Sequence, residues 1–402
     1  MYRSTQKREN PWKREPATPD LSPCQLRYVR ELSSTWPKFS NFDCNEYLDS
    51  DTNATVLNAS PSVVALISFS VGVQLTRGSG TIIEKHDDAI IVLTSANLIR
   101  RPTSEEFGEN TLADDVTVHA HLCGGDFYRE GEVYAYDFHY NIAVIRFSFI
   151  PPFGPAKVAK VAHIDDSIDV HSSRASHPPF RLLPHSASYK LTPGNRVIVM
   201  GRYFAEPFEP MAAPGEYRLE KTSYDCKELF MTNCKITRCG DGGPLLNSLG
   251  ELIGIAFFNS VSTPCLPINI ACKWWDHYKK HGKRFRPFLG FEATHLFAAD
   301  LGLIDRVIHN FPDARRGLVV EKVIPDSSAD LAGLRVDDVI IECDDKPVQS
   351  FLELFEMLWE KVGVPTKLIL VRAGDVTHKL LEMVFVEGTS DQLNSWPVHD
   401  MD

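Results

Sequence analysis

A chain of 402 residues is long enough for two or three domains with cores of their own. Its 43% apolar and 24% charged residues are those of a globular protein, and a net charge of −11 excludes the basic footprint of a general nucleic-acid binder. No apolar run reaches the ~18 residues of a transmembrane helix, so no membrane span is expected.

The nine cysteines form no CxxC pair and no zinc-like spacing, so no metal site, cofactor or disulfide framework is indicated. They read as free thiols in a reducing compartment, with a disulfide among Cys226, Cys234 and Cys239 as the lesser alternative. Met1 to Pro16 mixes Lys and Arg with Glu and lacks the apolar stretch of a secretory signal. Lys7-Arg8 and Lys13-Arg14 read as part of a solvated arm, with a signal for an import receptor as the lesser alternative. The cytosol or nucleus is therefore favoured over a secreted or organellar location.

Residues 1–58 are polar and proline-bearing, with one amphipathic piece at Leu26 to Leu32, and read as an extension packed on the body. A first β series occupies 59–165. It comprises Val63–Ile67, Val71–Leu75, Gly78–Ile83, Ala89–Thr94, Val116–His121, Glu132–Tyr136, Ile142–Phe147 and Val158–Val161. Such short strands, separated by frequent turns, indicate a barrel or sandwich. Residues 166–190, rich in Ser, His and Pro, form a linker, and a second series over 191–270 starts at Gly194 to Gly201. It runs through Tyr217–Leu219 and Leu229–Thr232 to the turn Cys239-Gly240-Asp241-Gly242-Gly243-Pro244 and a strand at Glu251–Phe258.

Over 271–286, Ala271, Trp274, Trp275 and Tyr278 recur at helical spacing, ahead of a basic run from Lys279 to Arg284 that suits a helix C-terminus. A third unit, 287–388, contains β-like runs at Gly317–Val320 and Asp337–Ile341, a helical stripe of Phe351, Leu354, Phe355 and Leu358, and a closing strand at Lys367–Arg372. Residues 389–402 are a polar tail.

Several of these pieces, in this order, resemble the HtrA/Deg (Do-like) serine proteases. They are Gly78-Ser79-Gly80-Thr81, Leu93-Thr94-Ser95-Ala96, Ile142-Ala143-Val144-Ile145 and Gly242-Gly243-Pro244-Leu245. Gly201-Arg202-Tyr203-Phe204 and Met211–Glu216 look like the plant Do-like branch. The resemblance implies a mainly β fold, a chymotrypsin-like double β-barrel followed by one PDZ domain, and assembly as homo- or hetero-trimers with related proteases. It also implies where a catalytic triad belongs. The histidine position is Asn97, the aspartate position Asn141 and the serine position Asp241, with gaps of 44 and 100 residues. The oxyanion-hole-like stretch is Cys239, Gly240, Asp241 and Gly242.

None of the three substitutes can do the work. An ionised aspartate is acceptor-only and has no proton to give, and an Asn amide is not a base. Losing triad members costs about 10⁶-fold in turnover. Neighbours that might substitute are Ser79, Ser95, His86, His119, His121, Asp137, His139 and Cys239, each read first as a structural residue. The expectation is a pseudoprotease in which Asp241 lies against the amides of Gly242 and Gly243, Asn97 donates to Asp241, and Asn141 donates to Asn97. A working serine endopeptidase with a non-standard catalytic set is the alternative, and an inactive subunit of mixed oligomers a third reading.

By the same resemblance, Phe288-Leu289-Gly290-Phe291 is the PDZ carboxylate-binding loop. The groove lies between the following strand and the helix near 350–361, and takes polypeptide C-termini or unfolded segments by strand addition. The long insertion from Glu292 to Arg315 is expected to cover it.

Overall fold

A computed structural model describes residues 48–101, 110–121, 128–148, 157–160, 191–204, 208–219, 224, 226–259, 262–312, 314, 316–372, 374–375 and 377–389. The Leu26–Leu32 piece, the 166–190 linker and the tail beyond residue 389 lie outside them.

The chain enters through helix α1 (Ser50–Ala59), capped by Asp49, whose carboxylate accepts from the Asp51 and Thr52 amides. A first closed barrel follows: β1 (Val63–Ser70), β2 (Val73–Lys85), β3 (Ala89–Ser95), β4 (Val116–His121), β5 (Tyr128–Asp137) and β6 (Ile142–Ser148). Its strands pair in the order β1-β2-β3-β6-β5-β4. The second closed barrel comprises β7 (Arg196–Arg202), β8 (Pro210–Arg218), β9 (Phe230–Thr232), β10 (Pro244–Asn247), β11 (Leu252–Ala256) and β12 (Thr263–Pro267).

Two-residue periodicity decides what each strand faces. In β3, Ile90 and Val92 fill the first barrel while Ile91 and Leu93 point to a second core shared between the barrels. In β7, Val197 and Val199 fill the second barrel while Ile198 and Met200 meet that same shared core. Helix α2 (Ile268–His281) packs Trp274 and Trp275 against it. The two indoles donate to Asp137 Oδ2 at 3.0 Å and to Glu84 Oε1 at 2.8 Å. The helix stops at Gly282, whose left-handed φ of 67° suits a residue without a side chain.

The third unit holds β13 (Pro287–Phe288), β14 (Phe291–His295), α3 (Leu301–Asn310), β15 (Leu318–Val323), α4 (Ser328–Leu331), β16 (Asp338–Cys343), β17 (Lys346–Pro347), α5 (Phe351–Trp359), β18 (Pro365–Arg372), β19 (Lys379–Val384) and β20 (Val386–Glu387). Its main sheet runs β14-β15-β16-β18-β19, so β14 is an edge strand. Leu318, Val320, Ile340, Leu368 and Leu370 pack with α5 in the shared core, and Val319, Val339 and Val371 pack with α3 on the opposite face.

Four expectations need correction. Val71 and Gly72, at φ 50° and 76°, form the turn between β1 and β2, and β2 then runs unbroken through Gly78-Ser79-Gly80. Those glycines answer close packing: a Cβ on Gly78 would lie 2.9 Å from the Asp241 carbonyl oxygen. Residues 157–160 are not a strand but irregular backbone bonded to Pro61 and Ile82. The closing strand at Lys367–Arg372 is followed by β19. Finally, the 292–315 insertion leaves the α5 side of the sheet alone, because Leu303, Ile304 and Val307 of α3 bury themselves against the other face.

Candidate functional site: a vacated triad and a peptide groove

The three triad positions converge between the barrels. Asn97 sits in a 3-10 turn after β3, where Ser95 Oγ accepts from its amide at 3.2 Å. Asn141 opens β6 at φ 53°, a left-handed conformation that Asn tolerates better than most residues. Asp241 ends the 3-10 turn Arg238–Gly240 ahead of β10.

Asn97 Nδ2 donates to Asp241 Oδ2 at 3.4 Å, and the Phe258 amide donates to Asp241 Oδ1 at 3.0 Å. Asn141 Nδ2 donates to Ser95 Oγ at 3.0 Å instead of to Asn97, while Arg100 Nη2 donates to Asn141 Oδ1 at 3.4 Å. Asn97 Oδ1 is buried with no partner among the described residues. Burial pushes the Asp241 carboxyl above its ordinary value, against the opposing pull of the Phe258 amide, Asn97, Ser95 and Arg238.

The turn itself is closed. Cys239 N donates to Thr237 Oγ1, Gly240 N to Thr237 O, Asp241 N to Arg238 O, Gly242 N to Ala256 O and Gly243 N to Gly240 O. The expected contact between the Asp241 carboxylate and the Gly242 and Gly243 amides is therefore absent, since both amides are committed to backbone carbonyls. Gly242 reaches Ala256 from φ 76°, and a Cβ there would lie 2.5 Å from Ser95 N. An oxyanion hole needs amides aimed at a developing charge, and this turn offers none of its five.

At the third unit, Gly290 (φ 76°) turns the chain into β14. Its carbonyl accepts from Ile324 N at 2.9 Å and Ser327 Oγ at 3.1 Å. The Leu289 and Gly290 amides donate to nothing among the described residues. Leu289 and Phe291 are buried, Phe288 is half-buried, and among the described residues the far edge of β14 carries no strand. Lys227 ties the second barrel to this unit through Glu292 at 3.5 Å and Glu321 at 3.6 Å.

A family model described as a trypsin-like peptidase domain matches residues 78–255, and a PDZ domain model matches 319–372. The Do-like 14 protein of Arabidopsis thaliana is 28% identical over 373 residues, 86% of this chain and 74% of that protein. Serine endoprotease DegS of Escherichia coli is 31% identical over 193 residues, 45% of this chain and 50% of its own length. The chain is an HtrA/Deg homologue. The solved HtrA-type protease AlgW with tripeptide shares its fold at TM-score 0.53 and 17% identity, over 85% of this chain and 98% of that one.

In this HtrA/Deg homologue Ser95 lies within the site, bonded to Asn97 and Asn141, and the other residues that might stand in for the triad are engaged elsewhere. Asp137 accepts from the His139 and Tyr140 amides and from Trp274. Ser79 Oγ donates to Cys239 O at 2.6 Å and is buried, as is Cys239. His119 and His121 stack on Phe69 and Phe208, and His86 pairs with Glu84. His139, Cys226 and Glu228 do converge, with ligand atoms within 4.8 Å of one another. Arg286 donates to His139 Nδ1, however. A guanidinium only donates, so neutral His139 keeps its proton on Nε2, facing Glu228, and has no lone pair there for a metal. Cys226, Cys234 and Cys239 are separate free thiols.

Sequence reasoning missed Phe258 and Arg100. Arg100 lies over the Phe138 ring at 4.6 Å, three residues past the histidine position, where its charge was the available signal. Arg202, quoted only as part of a motif, is 1% exposed and donates to Val63 O, Phe208 O and Ser60 O.

Proposed function

We propose that this HtrA/Deg homologue is a catalytically inactive pseudoprotease whose PDZ unit binds polypeptide C-termini by strand addition, with the barrels as scaffold. The observation that carries the first half is the environment of Asp241. Its carboxylate is held by two amide-type donors, no imidazole of the described residues reaches it, and the amides around it turn inward. The second half rests on the unpartnered Leu289 and Gly290 amides at the head of an open edge strand, a geometry suited to a terminal carboxylate and an added strand.

The test joins two assays on the full chain. A fluorophosphonate probe with casein is expected to give no labelling and no cleavage, and cleavage at multiple turnover that Asp241→Ala abolishes would sink the first half. A peptide library with free or amidated C-termini is expected to bind only with the free carboxylate; indifference to amidation would sink the second. Trimers with related proteases are the assembly we propose, tested by copurification with an active homologue. The buried free thiols support a reducing compartment, the cytosol or nucleus.

A further inference from the structure

We propose that the last turn of α2 carries a divalent transition-metal site, suited to zinc, built on His277 and His281. The two residues are four apart on one helix, a spacing that puts two imidazoles on one face. Their ring centroids are 4.4 Å apart. His277 Nδ1 lies 3.3 Å from the Lys283 carbonyl oxygen, which only accepts, so the ring proton is on Nδ1 and the Nε2 lone pair is available. A backbone carbonyl holding one imidazole nitrogen while the other binds an ion is the usual way protein metal ligands are oriented.

Phe285 stacks on His277 at 4.7 Å and restrains the ring. His281 is exposed and has no polar partner among the described residues.

Both histidines line a cleft that also holds the carboxylates of Asp276, paired with Lys279 at 3.0 Å, and Glu360. Glu360 follows α5, which places the cleft between the linker helix and the PDZ unit. Lysines share the cleft, and their charge decides the class of ion. Lys273 pairs with Glu360 at 3.6 Å, but Lys280 is exposed on the rim. A hard cation held by charge alone is disfavoured there, whereas imidazole nitrogens suit zinc, nickel and copper. The helix adds about half a negative charge at this end. The buried His139 cluster, with Arg286 on its imidazole, offers no comparable site.

The test is calorimetric titration of the full chain, made without a polyhistidine tag, with Zn²⁺. One site is expected, weakened more than about tenfold by His281→Ala, a change at an exposed side chain that leaves the fold alone. His277→Ala is expected to act alike, and Cys226→Ser to have no effect. Cu²⁺ electron paramagnetic resonance is expected to show two imidazole nitrogens. No binding, affinity unchanged in His281→Ala, or affinity lost in Cys226→Ser would each overturn the site.

Discussion

Replacing Asp241 by Asn removes a charge the fold disfavours while keeping the side chain's shape. In an unfolded chain an Asp titrates near pH 3.9. In the folded protein burial raises that value, so the native state binds the proton more tightly. The stabilisation from that proton is complete below about pH 3.9 and is lost as pH rises through the folded value, at about 1.4 kcal/mol for each unit between the two. As pH rises the wild type takes on this penalty and Asp241→Asn never does. The amide also fits the hydrogen bonds. Asn Oδ1 keeps the bond from Phe258 N, and the new NH₂ faces Asn97, whose buried Oδ1 has no partner and reaches it by an amide flip. The flip keeps one hydrogen bond between the two side chains, so the gain in Asp241→Asn comes from the lost charge.

Asp241→Ala goes the other way. It strands the Phe258 amide at a part-buried position, a cost of about 1–3 kcal/mol. Thermal unfolding of the three proteins between pH 4.5 and 8.5 checks the reasoning. Asp241→Asn is expected above wild type at pH 7.5 by about 2–4 °C for each kcal/mol, and Asp241→Ala below it. The gap between Asn and wild type is expected to widen as pH rises. A gap that is flat, or that narrows toward alkaline pH, refutes the assignment of a raised pKa to Asp241.

Three further outcomes follow from the geometry. Each single reversion, Asn97→His, Asn141→Asp or Asp241→Ser, is expected to leave casein cleavage at background, since triad members act as a unit and the turn stays closed; measurable turnover from any one refutes this. Gly290→Ala is expected to weaken binding of a free C-terminal peptide more than about tenfold in fluorescence anisotropy while barrel unfolding is unchanged, because a Cβ would lie 2.6 Å from Ser327 Cβ at a φ of 76°. Arg202→Ala is expected to lower stability in urea by more than about 3 kcal/mol, since it strands the buried Val63, Phe208 and Ser60 carbonyls.

The fold was legible wherever burial writes a strong period. The alternation in β3 and β7 marks both barrels, and Trp274, Trp275 and Tyr278 mark α2. Weakly buried elements were not: β19 buries only Met383, so its pattern is faint. Helix α3 had a signal that went unused, Asp300 as an N-cap ahead of Leu303, Ile304 and Val307. The runs read as Val71–Leu75 and Gly78–Ile83 belong to one strand, β2, in which Gly78 and Gly80 answer close neighbours.

At the site, residue types gave the lost chemistry and distant backbone gave the rest. That Asn97, Asn141 and Asp241 hold no base is read directly from their side chains. The inward turn is not, because Gly242 is directed by Ala256 and Asp241 by Ser79 and Phe258, partners far away in sequence. Together the two levels bear on reversal. An intact triad runs from a negative acid through an imidazole to a neutral hydroxyl. Here the order of charge is inverted: Arg100 brings its positive charge to the acid end and Asp241 a carboxyl to the nucleophile end. Between them, among the described residues, lie Ser95 and two amides. A proton has no titratable group to cross by, so restoring any one residue restores one end of a path whose middle and charge gradient are still missing.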